Sequence, residues 1–224
     1  HELSVNPGKY GPIGNISVPS TSATPATTAA GEASAATEAA STAGSENTAV
    51  SPDNDLVIAL QADATHLDPH VSGNGVSNTI TNSMYETLVV FDENLDLQPL
   101  LAKSWTVSDD GLDYTFILNE GIQFHDGEPF NAESIAANYE RAKSDTSLRL
   151  ASQTAMWDSV TVDSEYQVTI HLKEPNNTFL NKLAQVRIVS PKAIKELGKD
   201  GLAKQSAGTG PFILSERVDG GYTK

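Results

Sequence analysis

The hydrophobic pattern of the chain begins abruptly at residues 56–60, where five apolar residues follow one another, LVIAL. An uninterrupted apolar run of this length is typical of a strand that is covered on both faces of a sheet. Between residues 79 and 88, apolar side chains recur at every fourth position, which predicts a helix. Residues 89–91 predict a short strand, and the polar residues 92–96 a turn after it. The pattern therefore indicates a buried central strand, a helix and a second strand in succession.

The middle of the chain alternates apolar and polar residues in the manner of β-hairpins. Residues 105–107 and 114–118 alternate on either side of the sequence DDG at 109–111, and an acidic-glycine turn between such segments is a strong hairpin signal. We expect Trp105 and Phe116 to pack inside this hairpin-rich region. Further short strands are predicted at residues 122–124, 160–162 and 168–172.

Helix signals follow in the second half of the chain. Asn131 is a favourable N-cap for a helix that extends to about residue 143. Ser190 and Pro191 supply an N-cap and a first-turn proline for another helix, which we expect to end at residue 197, before Gly198. Shorter helices are predicted at residues 148–157 and 178–184, and strands at residues 186–189 and 211–218.

The first 54 residues differ in composition from the rest of the chain. Between residues 20 and 49, 23 of the 30 positions are Ala, Ser or Thr, and that stretch has no aromatic residue and no Leu, Ile or Val. Such a segment buries too little apolar surface to offset the entropy lost on ordering. We therefore interpret residues 1–54 as a disordered tail and linker, suited either to a tether or to an ordinary flexible terminus.

Charge and composition exclude several classes of function. The formal net charge is −15, and an acidic surface repels phosphate backbones and anionic headgroups, so we expect no nucleic-acid partner. The chain has no cysteine, which excludes disulfides, thiolate metal sites and cysteine nucleophiles. No apolar run approaches the roughly 20 residues of a membrane span. Because the sequence does not begin with Met, we expect that the N-terminus lost a segment upstream, and a cleaved signal segment would leave no trace in this sequence.

The polar motifs do not predict a catalytic or metal site. His66 and His70 have the four-residue spacing of a helical zinc pair, but Pro69 disfavours the helix that would place both rings on one face. The sequence GNG at 73–75 lacks the third glycine of a dinucleotide-binding turn, and GTGP at 208–211 lacks the lysine of a phosphate loop. No serine lies between the flanking glycines of a nucleophile turn. Ligand binding is therefore the favoured class of function.

Several spaced motifs resemble a known protein family. The central ones are LAKSW (101–105), VSDDG (107–111), YTFIL (114–118), EGIQFHDG (120–127) and PFNAE (129–133). Three flanking motifs agree with them: LDP (67–69), YETL (85–88) and GTGPF (208–212). Together they closely resemble the signature of the family 5 extracellular solute-binding proteins of bacterial ABC importers, which bind peptides, dipeptides, glutathione or nickel. The likeness extends over residues 55–218.

The resemblance implies an α/β fold of the periplasmic-binding-protein type II, in which two lobes close on a ligand and a small domain decorates the first lobe. Residues 55–88 and 188–224 are expected to form the first lobe, incompletely, and residues 89–187 a small hairpin-rich inserted domain. The second lobe would follow residue 224. Residues 219–221 (DGG) predict a turn with three residues after it, so we expect a hairpin without its second strand and a chain that stops inside a domain.

The same resemblance implies a receptor that captures short peptides outside the membrane and delivers them to ABC permease subunits, with no catalysis, metal or cofactor. We expect a monomer, lipid-anchored on the extracellular side of the bacterial cytoplasmic membrane or free in the periplasm. Arg187 resembles a basic position just before the strand end in nickel-type members of the family, and a surface arginine that covers its own strand is an equally good interpretation. The implied ligand-binding residues are Ser72, Gly73, Asn74, Ser77, Arg187, Gly208, Thr209 and Gly210.

Other functions stay open at this point. A receptor for a nickel chelate or for glutathione belongs to the same family and has the same fold. A secreted hydrolase whose catalytic residues lie downstream, or a surface adhesion module, would belong to another class. The sequence HLDPH at 66–70 does not separate peptide receptors from nickel receptors.

Overall fold

In the computed structural model, residues 57–71 and 75–224 are described, and residues 60–224 belong to one compact unit. The core of this unit includes a four-stranded antiparallel sheet and the helices packed on it. Along the chain the elements are α1 (Gly75–Met84), β1 (Val89–Phe91), β2 (Leu97–Pro99), β3 (Ala102–Val107), β4 (Asp113–Leu118), α2 (Ala132–Ser144), α3 (Arg149–Gln153), β5 (Trp157–Ser164), β6 (Gln167–Leu172), α4 (Phe179–Leu183), α5 (Pro191–Leu202), β7 (Arg217–Val218) and β8 (Tyr222–Thr223).

The four-stranded sheet has the order β3-β4-β6-β5, with every neighbouring pair antiparallel. The hairpin predicted around DDG is confirmed: Trp105 pairs with Phe116, and Gly111 takes a φ of 71° in the turn between them. Phe116 is fully buried, whereas Trp105 is half-buried and packs against it with ring centroids 6.4 Å apart. Phe116 therefore lies in the core as expected, and Trp105 lies at its margin.

Helix α2 covers the inner face of this sheet. Its buried residues Ile135, Asn138, Tyr139 and Ala142 recur at the three- and four-residue spacing of one helix face. The Tyr139 ring stacks on the buried Trp157 of β5 at 5.6 Å, and its hydroxyl donates to the Asp158 carbonyl at 2.7 Å. The helix predicted after Asn131 is thus confirmed, and its apolar face joins the main core.

A second cluster of buried residues brings together two distant parts of the sequence. Leu67, Met84 and Tyr85 pack with Val189 and Leu202, from the segments before and after the sheet region. These segments lie within the ranges assigned above to the first lobe. The division of the chain into lobe and inserted domain stays a prediction.

The buried strand expected at residues 56–60 is wrong. Residues 57–60 form no strand, and Val57 and Ile58 are 87% and 68% exposed. Residue 56 lies outside the described part of the chain, as do all of the residues assigned to the tail. An apolar run becomes a buried strand only where neighbours bond its backbone groups and cover its faces. Apolar sequence alone does not supply those neighbours.

The remaining differences concern segments that were predicted too long or displaced. Strand β7 covers only two residues of the predicted 211–218, and β8 pairs with it, so the hairpin does have a second strand. The segments 122–124 and 186–189 each reduce to a single bridge. Helix α1 begins and ends four residues before its predicted bounds. Helix α3 is a short helix within the predicted range 148–157. Helix α5 does not end before Gly198 but continues past a break at this residue, where φ is 59°. The helix predicted at 178–184 is confirmed.

Replacing Phe116 by Ala should lower the free energy of unfolding by about 3 to 5 kcal/mol, because the whole phenyl ring is buried. Ile117→Ala is the matched control on the same strand, since Ile117 is 37% exposed, and it should cost about 1 kcal/mol or less. Denaturant unfolding followed by tryptophan fluorescence measures both. Equal losses for the two variants would contradict this assignment of the inner and outer faces.

Candidate functional site

The structure describes five of the eight expected ligand-binding residues. Ser72, Gly73 and Asn74 lie outside the described residues. Ser77 is buried in α1, where its Oγ accepts a hydrogen bond from the Thr65 amide at 3.0 Å and lies 3.2 Å from the Thr65 hydroxyl. This serine therefore fastens the chain before α1 to the helix.

The segment 208–210 packs against the end of α1. The Gly210 amide donates to the Met84 carbonyl at 3.0 Å, and the Thr209 hydroxyl donates to the buried Glu86 carboxylate at 2.8 Å. A Cβ atom on Gly208 would lie 2.1 Å from the Met84 carbonyl oxygen, and one on Gly210 would lie 2.6 Å from the Ser83 carbonyl oxygen. Both carbonyl oxygens belong to the backbone and cannot move aside as a side chain can, so the close approach of this segment to α1 requires glycine at each position.

His125 holds the same segment from its other side. Its amide donates to the Gly208 carbonyl at 2.8 Å, and its Nε2 lies 2.9 Å from the Gly210 carbonyl. Since a carbonyl only accepts, Nε2 carries the ring proton. Burial lowers the pKa of His125, which favours this neutral form. The sequence did not show this contact, because the partner of His125 lies 85 residues away.

Arg187 lies beside α1, next to a second arginine, Arg149, which belongs to none of the motifs in the sequence. The Arg187 guanidinium donates to the Asn82 side chain, and Arg149 donates to the Asn78 side chain at 3.3 Å and to the Pro69 carbonyl at 3.0 Å. Asn78 and Asn82 are one helical turn apart, so the two guanidiniums share one side of α1.

This arginine pair has no acidic partner among residues 57–71 and 75–224. The ion pairs found there involve other basic groups, such as Arg141 and Arg217. Burial lowers the pKa of Arg187 to about 10, with a further contribution from Arg149. Arg187 is still protonated at neutral pH, and both arginine residues are half-buried. An acidic chain thus carries a local pair of positive charges suited to an anionic group.

A buried network lies beneath this pair. Asp68, His70 and Arg141 are at most 9% exposed. Arg141 donates to Asp68 at 2.5 Å and to His70 Nδ1 at 2.8 Å, and His70 Nε2 lies 2.8 Å from the Arg187 carbonyl. His70 therefore belongs to a hydrogen-bonded network, and the described residues contain no cluster of three metal-ligating side chains.

Comparison with known proteins identifies the family. Residues 96–224, more than half of the chain, match the bacterial extracellular solute-binding proteins, family 5. The chain belongs to this family. The glutathione-binding protein GsiB of Pectobacterium atrosepticum is 37% identical over 161 residues, which cover 70% of this chain and 31% of the relative. The resemblance drawn from the spaced motifs is thereby confirmed.

Solved structures show the fold. NikZ from Campylobacter jejuni in complex with Ni(L-His) is similar over 73% of this family 5 chain and 33% of its own length, with 26% identity and a TM-score of 0.65. DppA from Helicobacter pylori in complex with the peptide STSA is similar over 70% and 36%, with 28% identity and a TM-score of 0.64. The expected α/β fold of the periplasmic-binding-protein type II is confirmed.

The coverage of these comparisons is partial. The family 5 chain spans about a third of the length of the relatives it matches. Within residues 57–71 and 75–224, no helix combines the length and apolar character needed to cross a bilayer.

The burial of His70 predicts a pH dependence of stability. Burial, together with nearby Arg141, lowers the pKa of His70 to about 4, against about 6.5 in the unfolded chain. Between these values the unfolded state binds the extra proton, so this contribution to stability is complete above about pH 6.5 and is lost as the pH falls towards 4. The loss should be about 3 kcal/mol.

Denaturant unfolding at pH 7, 6, 5 and 4 measures this effect. In His70→Gln, the part of the pH dependence that comes from His70 should disappear, while the carboxylates of the two proteins titrate alike. Parallel stability curves for the two proteins would show that His70 titrates normally.

The close approach at residue 208 predicts intolerance of a methyl group. Gly208→Ala should lower stability by about 1 to 3 kcal/mol or more, because the new Cβ would overlap the Met84 carbonyl. Gly75→Ala is the matched control, since a Cβ at that position meets nothing within 4 Å. Thermal unfolding of the two variants gives the comparison. A melting temperature unchanged in Gly208→Ala would contradict the packing of this segment on α1.

Proposed function

We propose that this chain is part of the substrate-binding component of an ABC importer, which captures short peptides outside the membrane and delivers them to a permease. Membership of family 5 supports the class of function. The observation that carries the ligand class is the pair of guanidiniums of Arg149 and Arg187, which bond only neutral oxygens among the described residues.

A free carboxylate is the ligand group that fits this pair. A guanidinium presents several donors in a planar fork and binds carboxylates through two parallel hydrogen bonds. The pair is half-buried, where charge interactions are stronger than in bulk water. Every short peptide with a free C-terminus carries such a group, and the proposal assigns it to Arg187 and Arg149.

The other expected ligand contacts have supporting roles in this proposal. The segment 208–210 is a rigid wall, because Thr209 bonds Glu86 and both glycine carbonyls bond His125. The half-buried Gly210 of this segment, together with Ser72, Gly73 and Asn74, would meet the peptide backbone, in the way that extended peptides pair with backbone groups. Ser77 would act indirectly, by fixing residue 65 to α1.

Glutathione is the second candidate ligand. The observation that favours it is the 37% identity to a glutathione-binding protein. Glutathione is itself a tripeptide, and its two free carboxylates match a pair of arginines. A nickel chelate is a third possibility within the same fold, supported by the likeness to NikZ with Ni(L-His).

The proposed mechanism is a clamp. A ligand that binds the closed arrangement of two lobes more tightly than the open one shifts the equilibrium towards closure, and the permease senses the closed form. The protein catalyses no reaction and acts as a monomer. A lipid anchor at the end of the tail would keep it at the extracellular face of the membrane.

Calorimetry tests the proposal on a protein of the relatives' full length that contains this sequence. We expect micromolar binding of a mixed pool of short peptides with free C-termini, and at least tenfold weaker binding of the same pool as C-terminal amides. The 224-residue chain alone should bind with a millimolar or weaker Kd. A micromolar site corresponds to a binding free energy of about 8 kcal/mol, and losing even about 5 kcal/mol of it with the contacts of a second lobe leaves affinity in that range.

Arg187→Met in the full-length protein should weaken binding of the free acids by tenfold to a hundredfold and leave the amides nearly unchanged. Lys143→Met is the control for removing a positive charge, because Lys143 is exposed and paired with Glu140. If the protein binds glutathione or nickel-histidine but no peptide, that compound takes the place of the peptide as the proposed ligand. Equal binding of acids and amides would overturn the carboxylate assignment.

A further inference from the structure

We propose that His70 is a positioning residue for Arg187: its ring, clamped by Arg141 and Asp68, fixes the backbone from which the Arg187 guanidinium reaches a ligand carboxylate. This inference rests on the proposed function, because it names a residue that acts through Arg187 at the same site.

The first step is the protonation state of the His70 ring. Arg141 Nη1 lies 2.8 Å from His70 Nδ1, and a guanidinium has donors only. Nδ1 must therefore accept, which leaves the single ring proton of neutral histidine on Nε2. That proton points at the Arg187 carbonyl, 2.8 Å from Nε2. The geometry thus selects one tautomer with one donor and one acceptor, and both are used.

The second step is the rigidity of the ring. The His70 amide donates to Asp68 Oδ1 at 3.0 Å, while the other carboxylate oxygen of Asp68 accepts from Arg141 at 2.5 Å. Asp68 therefore holds both the backbone of His70 and the guanidinium that bonds its ring. All three groups are buried, where a broken hydrogen bond leaves an unsatisfied group that water does not reach. His70 has little freedom to turn away from Arg187.

The third step is what the contact does for Arg187. The segment around this residue is not a regular strand: a single bridge joins it to Thr87, and the Ile188 amide donates to the Glu86 carbonyl at 2.9 Å. The Ile188 hydrogen bond is part of that bridge, so the bond from His70 adds a second anchor, at Arg187 itself. The orientation of that carbonyl is tied to the backbone dihedrals of the residue and hence to the direction of its side chain. Asn82 then holds the far end of the same side chain.

The binding test uses the full-length protein with a free-acid peptide and its C-terminal amide. In His70→Leu, binding of the free acid should weaken about tenfold, equivalent to one hydrogen bond of about 1.4 kcal/mol, while binding of the amide changes less than twofold. His70→Gln keeps a donor and an acceptor and should recover most of the loss. In an Arg187→Met background, His70→Leu should have no further effect.

His171→Leu is the matched control, because His171 lies on the sheet and bonds Asp113 and Thr161. It should leave both affinities unchanged. Equal weakening of acid and amide by His70→Leu, or additive effects with Arg187→Met, would show a role in folding alone and overturn the inference.

A ligand-independent measurement separates this inference from the proposed function. Ring ¹⁵N shifts should show the Nε2–H tautomer of His70 at pH 7, and the carbonyl ¹³C shift of Arg187 should change in His70→Leu and return in His70→Gln. Another tautomer, or an unmoved carbonyl shift, overturns the positioning role. If these shifts behave as expected but the wild type does not distinguish acid from amide, only the carboxylate function fails.

Discussion

The buried ion pair between Asp68 and Arg141 joins two parts of the chain that lie 73 residues apart. Asp68 belongs to the segment before α1, and Arg141 belongs to α2, which packs on the four-stranded sheet. Burying either charge without the other would be costly, so the two must be desolvated together. The ion pair therefore fixes the register between these segments, and the contacts of His70 with Arg141 and Arg187 depend on that register.

A second constraint acts where residues 208–210 meet the end of α1. Two glycines allow backbone to lie directly against backbone, and no side chain fits between them. Hydrogen bonds from Thr209 and His125 satisfy polar groups that such close contact would otherwise leave without partners. The candidate ligand wall is therefore rigid because its own hydrogen bonds are satisfied within the fold.

The candidate site was only partly predictable from the sequence. Arg187 was singled out because it resembles a basic position in the family, and the structure places it beside α1 as half of an arginine pair. Arg149 carried no recognisable signal, and His70 was considered only as half of a disfavoured zinc pair, because their partners lie on α1, on α2 and at residue 187. A histidine beside a proline in a loop has the sequence pattern of an ordinary polar residue, and its role becomes visible only when the residues packed around it are known. Proximity between distant segments is the information that a local pattern lacks.

The sequence by itself determined the elements whose causes are local. The DDG turn with its flanking alternation predicts the β3–β4 hairpin, and Asn131 and Ser190 predict the starts of α2 and α5, because each signal and its effect lie within a few residues. The spaced motifs also identified the family. Only the tertiary structure decided that residues 57–60 are not a buried strand, that β7 is short, and that Arg149 and Arg187 share one side of α1. These outcomes depend on which distant segments supply hydrogen-bond partners and apolar cover, and periodicity along the chain does not encode that choice.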